Sequence, residues 1–282
     1  MPRPSPDANR LADAFRIGLR EMPLRGLAGG RLGKGTGSSL EFQDRRNYAI
    51  GDDVRHLDWR TYARTGEMMV KLYREEIAPR VEILVDGSAS MSVDAAKSQL
   101  VVDLTCLLAR CAHEEGYQVT TFVLGTRPSM LNLDRLEGDG FELDGTVPID
   151  RVLPEVRSFL RPGALRLILS DFHFPHDAAE LMRPIAARAG GFAALQVLSA
   201  EDEKPTEGRA LRLTDAETGE TIDLVLDATS IRTYLDRASR LRGALEEECR
   251  RFGGHFASLT STTALEDHCR TRLVPLGVLE PA

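Results

Sequence analysis

A short apolar run that passes directly into a polar loop decides the fold of this chain: residues 81–91 read VEILVDGSASM. Pro79 precedes the run and Gly87 follows it, which is typical of a short central strand buried on both faces. Residues 100–111 then place apolar side chains on one face of a helix and charged ones on the other. A buried strand followed by an amphipathic helix predicts an α/β fold with a parallel sheet.

The same alternation of strand and helix continues to the end of the chain. Further buried strands are predicted at residues 119–124, 165–169, 192–198 and 255–259, and helices at 152–160, 178–189, 231–252 and 265–273. Two strand-like runs on either side of residues 216–219 indicate a hairpin at a sheet edge. We therefore expect a Rossmann-like domain with a mostly parallel central sheet and helices on both faces, over residues 76–282.

Residues 1–75 form a smaller N-terminal segment with a different composition. A helix is expected over residues 7–21, followed by a basic, glycine-rich arm and a dense block of charges. Residues 1–46 contain nine Lys or Arg and five Asp or Glu. The arm fits neither a Walker phosphate loop nor a dinucleotide loop, because the required glycine and hydroxyl positions are not filled. It is either a solvated tether or a docking segment for an acidic partner surface.

The overall composition is that of an ordinary globular protein: 42% of the 282 residues are hydrophobic, 28% are charged and the net charge is −7. This negative charge argues against a nucleic-acid-binding coat or a polybasic membrane binder. No apolar run is long enough to span a bilayer, and the first residues lack the apolar core of a secretory signal. We expect a cytoplasmic protein without a membrane span, whose four cysteines are reduced.

Oxygen-bearing side chains follow the predicted central strands at the points where these strands end. Asp86, Ser88 and Ser90 follow the first strand at alternate positions, and Asp171 follows the strand at residues 165–169. Thr146 lies in the loop before the next helix. Because ligands of parallel sheets bind at the carboxyl ends of the strands, we expect these side chains to converge. We refer to the five residues together as the rim site.

Carboxylate and hydroxyl oxygens without soft ligands favour Mg²⁺, and five such ligands leave one octahedral position for a carboxylate from a partner. The alternative is that the aspartates and serines cap helix N-termini, which these residue types commonly do.

Two stretches of the sequence resemble known families. Residues 86–91, together with Thr146 and Asp171, look like the metal-ion-dependent adhesion site of von Willebrand factor A-type domains. Residues 48–66, YAIGDDVRHLDWRTYARTG, resemble the signature of the bacterial domain-of-unknown-function 58 family, in which this block precedes an A-type domain. The resemblance covers about residues 35–260.

The resemblance implies a von Willebrand factor A-type fold and a non-catalytic, Mg²⁺-dependent protein-binding module. It also implies an adaptor or co-chaperone that works with a MoxR-type AAA+ ATPase in the assembly or maturation of protein complexes. The rival hypothesis from the residues is a metal-assisted hydrolase or phosphatase on a Rossmann-like sheet. An aspartyl-phosphate phosphatase would need a second aspartate two residues after Asp86, where Ser88 stands.

Two smaller features keep alternative interpretations. The charges of residues 52–64 form either an ion-pair network that locks the N-terminal region onto the A-type domain or a contact surface for the ATPase. Asp52 or Asp53 is expected to cap a helix that runs to about Arg64. His173 and His176, just beyond Asp171, have no third soft ligand beside them in the sequence, so we expect solvent-exposed or capping roles; zinc binding and pH tuning of partner binding are the alternatives.

Overall fold

The computed structural model describes residues 2–19, 40–49, 52–75, 79–208, 210–214 and 221–282. Its strands and helices follow one another in this order: α1 Pro6–Ala12, β1 Phe15–Ile17, β2 Leu40–Asn47, α2 Trp59–Thr65, β3 Met69–Glu75, β4 Arg80–Asp86, α3 Ala95–Glu114, β5 Gln118–Leu124, β6 Ser129–Leu131, α4 Leu133–Asp139, α5 Ile149–Val156, β7 Leu165–Ser170, α6 Ala178–Ala186, β8 Gly191–Leu198, α7 Ala200–Glu203, β9 Ala210–Thr214, β10 Thr221–Val225, α8 Ala228–Arg251, β11 His255–Thr260, α9 Leu265–His268 and β12 Leu279–Pro281. Short 3₁₀ turns precede α2 and α3, and a π-helical turn continues α9 to Leu273.

The central sheet has the strand order β11-β8-β7-β4-β5-β6. Its first five strands are parallel, and β6 is antiparallel to β5. The five buried strands predicted from the sequence correspond to β4, β5, β7, β8 and β11, so the predicted mostly parallel sheet is confirmed. Short apolar runs buried on both faces are what such a sheet requires.

Helices cover both faces of this sheet, as predicted. Alternate side chains of β4 enter two separate cores: Ile83 and Val85 pack with α3 on one face, and Leu84 packs on the other. The second core is closed by α5, α6 and α8, which contribute residues such as Leu181 and Leu245. Because successive strand residues point to opposite faces, one buried strand serves both cores.

Two predicted helices differ in extent from the structure. The helix expected over residues 7–21 ends at Ala12, because Phe15–Ile17 forms an antiparallel pair with β12 at the other end of the sequence. The helix expected at 152–160 spans Ile149–Val156, with Pro148 at its N-cap and a turn at residues 157–159. The fixed φ of proline favours a helix start at this point. A pairing partner more than 260 positions away leaves no signal in local periodicity.

The hairpin predicted at a sheet edge forms as an antiparallel pair of strands. Strands β9 and β10 pair antiparallel as a separate two-stranded sheet. The turn expected at residues 216–219 lies outside the described residues.

The contacts divide the chain into two units, residues 1–24 with 79–282 and residues 25–78. The division expected from the sequence, at residue 75, grouped the N-terminal helix with the second unit. In the structure, however, the buried residues Leu11 and Ala12 of α1 lie in the same core as α3. The arm at residues 20–39 lies outside the described residues.

The unit of residues 25–78 contains the antiparallel pair β2–β3 and helix α2. The expected helix cap was wrong: Asp53 caps a 3₁₀ turn, and Asp58 accepts the N–H groups at the start of α2. Trp59, at the first position of α2, is 61% exposed. Arg46 binds Asp52 through two hydrogen bonds of 2.7 Å, and Arg55 pairs with Asp53 at 2.6 Å.

The four cysteines are buried and free, as expected for reduced, core-filling residues. Burial raises the pKa of each thiol to about 12, so none is a thiolate near neutral pH.

Candidate metal site at the carboxyl edge of the sheet

The rim site lies where the order of the strands reverses. Strand β4 is followed along the chain by β5 on one side, whereas its other neighbour in the sheet is β7. Asp86 is the last residue of β4, and Ser170 is the last residue of β7, directly before Asp171. Ligands of open α/β sheets bind at such a reversal, outside the carboxyl ends of the strands. The topology therefore places the two aspartates at the preferred position for a ligand.

Asp86 is a buried carboxylate held on both oxygens. Its Oδ1 accepts the N–H of Ser88 at 3.0 Å, and its Oδ2 accepts the hydroxyl of Ser170 at 2.6 Å. Only 1% of the residue is exposed. Burial, and then the negative charge of Asp171, raises the pKa of Asp86 to about 6. This carboxyl group therefore lacks a sufficient positive charge beside it.

Ser88 and Ser90 flank the start of the 3₁₀ turn Ala89–Ser92, and their Oγ atoms are 3.0 Å apart. Two neighbouring oxygens of an octahedral Mg²⁺, each 2.0–2.1 Å from the ion, are separated by about 2.9 Å. Ser88 makes no side-chain hydrogen bond as an N-cap. The serine pair is thus already spaced as two adjacent ligands would be.

The alternative that these residues cap helices finds little support in the geometry. Asp94 caps α3 and Asp177 caps α6, each through a side-chain bond to a backbone N–H of the first turn. Neither Asp86 nor Asp171 occupies the N-cap of a described helix.

The loop that carries Thr146 lies beside Ser88 because three glycines, Gly87, Gly125 and Gly145, pack closely together. A Cβ on Gly145 would lie 2.8 Å from Gly125 Cα and 2.9 Å from Gly87 O, so only glycine permits this approach. Gly145 N–H donates to Gly87 O at 2.9 Å, which fixes the loop beside Ser88. The hydroxyl of Thr146 itself lies 3.3 Å from Thr126 Oγ1. Thr146 therefore lies at the exposed margin of the rim site.

Asp171 is the best-paired carboxylate of the rim site. Its Oδ1 accepts the N–H of His173 at 2.9 Å, and its Oδ2 accepts a hydrogen bond from Lys97 Nζ at 2.7 Å. Burial opposes ionisation of Asp171, but the charges of Lys97 and His173 and the hydrogen bonds from these two residues together outweigh it and hold the pKa of Asp171 below the usual value. The neighbouring Phe172 has a φ of 58°, a conformation uncommon for a bulky residue. Its N–H donates to Ser170 Oγ at 2.9 Å. Strained backbone at this position is typical of a functional loop.

Sequence reasoning missed three residues that shape the site: Ser170, Lys97 and Thr126. Ser170 orients Asp86, and the signal for it in the sequence was a polar residue directly after the apolar residues 167–169. Lys97 lies in the first turn of α3, on the side that is buried. A lysine in line with the apolar residues of this helix was the signal in the sequence for a buried charge. Thr126 follows β5 and accepts the N–H of Thr146 at 2.9 Å, a pairing that only the tertiary structure creates.

The donor set fits a hard divalent cation rather than zinc. In the described part of the chain, no three His, Cys, Asp or Glu side chains converge as a metal cluster. The rim site has two carboxylates, so its other oxygens come from hydroxyl groups, which Mg²⁺ accepts. His176 Nδ1 lies 2.7 Å from Phe174 O, and His173 Nδ1 lies 3.8 Å from an oxygen of Asp202. The Nε2 of His176 is buried without a hydrogen-bond partner, but no third soft ligand converges with the two histidines in the described part of the chain, so zinc is not favoured.

Comparison with solved structures gives similar chains at low sequence identity. The conserved hypothetical protein BatB from Bacteroides thetaiotaomicron is 12% identical with a TM-score of 0.40, and the match covers 69% of this chain and 95% of that one. An aerotolerance-related membrane protein from Bacteroides fragilis, with multiple mutations to serines, is 12% identical with a TM-score of 0.42, over 71% of this chain and 98% of that one. No curated protein matches the chain.

Within the described ranges, no helix is both long and apolar enough to cross a bilayer. Residues 44–134 match the model of a protein family, in agreement with the resemblance seen in the sequence. The match includes Asp86, Ser88 and Ser90 and ends before Thr146. Residues 44–134 are therefore similar to the family described as protein of unknown function DUF58.

Proposed function

We propose that this chain is a non-catalytic, Mg²⁺-dependent protein-binding module. The observation that carries the proposal is the pair of hydroxyl groups of Ser88 and Ser90, 3.0 Å apart beside the buried carboxylate of Asp86. The residues that would hold the ion are Asp86, Ser88, Ser90, Thr146 and Asp171. When bound, the ion supplies an open coordination position for a carboxylate of a partner.

The protein supports this role by holding its ligands in place before binding. Ser170 fixes one oxygen of Asp86, and the Ser88 N–H fixes the other. The backbone pairing between Ser88 and Gly145 fixes the loop that carries Thr146. Ligands held by surrounding hydrogen bonds lose little conformational entropy on binding, which favours affinity and specificity.

The resemblance to MoxR-associated proteins suggests the partner class. We propose an adaptor or co-chaperone that presents the rim site to an acidic side chain of a MoxR-type AAA+ ATPase during the assembly or maturation of a protein complex.

The rival function, a metal-assisted hydrolase or phosphatase, uses the same carboxylates for catalysis. As an aspartyl-phosphate phosphatase it would require Asp86 to attack a substrate, which the 1% exposure of this residue disfavours. As a metal-assisted hydrolase it would use Asp86 as a metal ligand, as the proposed function does, with a metal-bound water as the nucleophile. Metal- and Asp86-dependent turnover of a phosphoester or ester panel would favour the rival.

The test is to replace the two serines together, Ser88→Ala and Ser90→Ala, in the full chain. Metal binding is read from the rise in Tm with MgCl₂, and partner binding from capture of a purified MoxR-type ATPase at constant Mg²⁺. We expect the double variant to fold, to lose the Mg²⁺-dependent rise in Tm and to bind the partner about tenfold or more weakly, because two ligands are lost.

The matched control is Ser92→Ala, which removes a hydroxyl from the same 3₁₀ turn. Ser92 is exposed, and its Oγ donates to the carbonyl of Ala89 rather than to either serine of the pair. This control should behave like the wild type. Equal capture by wild type and double variant, or capture unaffected by a chelator in the wild type, would contradict the proposal.

A further inference from the structure

Lys97 places a buried positive charge inside the rim site. It lies in the first turn of α3 and is only 1% exposed. Its Nζ lies 2.7 Å from Asp171 Oδ2, 3.1 Å from the carbonyl oxygen of Ser90 and 3.5 Å from Asp202 Oδ2. A buried ammonium group is costly unless it is paired and hydrogen-bonded, and these three acceptors account for its burial.

The three acceptors belong to different parts of the site. Ser90 lies in the turn that carries the serine pair, Asp171 lies in the loop after β7, and Asp202 lies in α7. Lys97 therefore occupies a position next to one carboxylate ligand and the backbone of another proposed ligand. A divalent cation held by the same ligands would experience the charge of Lys97 at short range.

The formal charges of the rim site decide the net charge that remains once a divalent cation is bound; we call the site with its cation the loaded centre. Asp86 and Asp171 together carry −2, which would neutralise a divalent cation. With the charge of Lys97 added, these three groups and the ion carry about +1. Asp202, 3.5 Å from Lys97 Nζ with a side chain 22% exposed, offsets this charge only in part because solvent screens it. A net positive centre binds an anionic ligand more readily than a neutral one does, and it binds the divalent cation less tightly.

We infer that Lys97 is a built-in counter-ion of Asp171 that weakens divalent-cation binding and keeps the loaded site positive, so that it selects a carboxylate ligand. The inference rests on the proposed function and adds a positioning residue to it. It also assigns a cost: the site gives up part of its metal affinity in return for selectivity towards anions.

A purely structural role for Lys97 predicts the opposite effect on metal binding. If Lys97 only bridged Ser90 and Asp171, its removal would loosen both ligands and weaken the binding of the cation. If it acts as a counter-ion, its removal tightens that binding. The sign of the change in Kd therefore separates the two roles.

The experiment uses the full chain with Lys97→Met, which removes the charge and keeps the length, and Lys97→Gln, which also keeps a hydrogen-bond donor. Mn²⁺ is the probe: free Mn²⁺ is measured by electron paramagnetic resonance, and Mg²⁺ is used as the competitor. We expect both variants to bind Mn²⁺ about tenfold or more tightly than the wild type, because a repulsive charge at short range is removed.

Acetate then tests the carboxylate preference. Bound Mn²⁺ enhances the relaxation of water protons, and acetate lowers this enhancement when it replaces a metal-bound water. We expect the variants to need about threefold or more acetate for the same decrease, because the loaded site is neutral without Lys97. Lys204→Met, which removes an exposed lysine two residues from Asp202, is the matched control and should change neither measurement by more than about twofold.

Each outcome decides between the inference and the proposed function. If the wild type and both variants bind Mn²⁺ equally, or if the variants bind it more weakly, the inference is overturned and the proposed function remains. If the variants bind Mn²⁺ and the wild type does not, the counter-ion role of Lys97 is supported, and the proposed metal-dependent function of the wild-type chain is overturned. If no form binds Mn²⁺, both are overturned. Variants that fold only with Mn²⁺ support the inference, and variants that remain unfolded with Mn²⁺ overturn it.

Discussion

Strand β4 carries two buried carboxylates, Glu82 and Asp86, and they have opposite surroundings. Glu82 pairs directly across the sheet with Arg166, whose Nε lies 2.8 Å from Glu82 Oε2. The other nitrogens of Arg166 donate to three carbonyl oxygens at 2.7–2.8 Å, and Glu82 Oε1 accepts the N–H of Arg161 at 2.6 Å. One negative charge faces one positive charge, and the hydrogen-bonding groups of both are satisfied.

Four residues further along, Asp86 is close to a second carboxylate instead of a cation. Lys97 is bonded to Asp171 and not to Asp86, so the charge of Asp86 is left uncompensated and its pKa rises to about 6. The comparison separates a structural ion pair, Glu82 with Arg166, from two neighbouring carboxylates, Asp86 and Asp171. A balanced, fully hydrogen-bonded pair stabilises the fold, whereas an unbalanced pair of carboxylates is tolerated where a ligand brings the missing charge.

The largest expected effect tests the structural end of β4. Glu82→Gln keeps the shape of the side chain but leaves the charge of Arg166 buried without a counter-ion. We expect the free energy of unfolding to fall by about 3–5 kcal/mol, as measured by urea denaturation at pH 7 in the presence of a chelator. A loss below about 1 kcal/mol would mean that the three carbonyl contacts of Arg166 suffice, and the contrast between the two ends would weaken.

The next effect has the opposite sign and lies at the Asp86 end of β4, where the rim site is proposed. Since the pKa of Asp86 is higher in the folded chain than the usual value of 3.8, the folded state holds more protons between about pH 4 and pH 6. Stability from this group is fully present below pH 4 and is lost as the pH rises through about 6. Asp86→Asn removes this loss.

We therefore expect Asp86→Asn to unfold at pH 7 with a free energy up to about 3 kcal/mol higher than the wild type, and with no gain at pH 4. The measurement is urea denaturation in a chelator at both pH values. The same variant should lose the Mg²⁺-dependent rise in Tm. A variant less stable than the wild type at pH 7 would contradict the view that Asp86 is uncompensated.

The smallest effect concerns the exposed margin of the rim site. Thr126→Val removes the acceptor of the Thr146 N–H, a bond of 2.9 Å that water can replace. We expect the free energy of unfolding to change by less than about 1 kcal/mol and Mg²⁺ binding to weaken, because the loop of Thr146 is held less firmly. Thr126→Ser keeps the hydroxyl and is the control. Unchanged Mg²⁺ binding in Thr126→Val would remove Thr146 from the proposed ligand set.

Strands β4 and β7 could be predicted because each is a short, mainly apolar run. Residues 81–85 and 165–169 each contain one charged residue, Glu82 or Arg166, and the apolar residues around it were enough to indicate a buried strand. The strand at Phe15–Ile17 could not be predicted in this way, since its partner is Leu279–Pro281. The separate sheet of the hairpin and the start of α5 likewise depended on packing and on Pro148.

For the candidate site, the sequence indicated the ligand types but not their balance of charge. Asp86, Ser88 and Ser90 could be selected because alternate polar residues directly follow a buried strand. The role of Lys97 could not be inferred, because it comes from contacts with Asp171 and Asp202, 74 and 105 positions away.

The sequence by itself determined the α/β class, the order of most strands and helices, and the oxygen-rich loops at the strand ends, because these follow from local periodicity and composition. Only the tertiary structure decided which charges meet. It paired Glu82 with Arg166 and Lys97 with Asp171, whereas no cation among the described residues pairs with Asp86. The reason is that electrostatic energy in a protein interior depends on distance and burial, and neither is encoded in the spacing of residues along the chain.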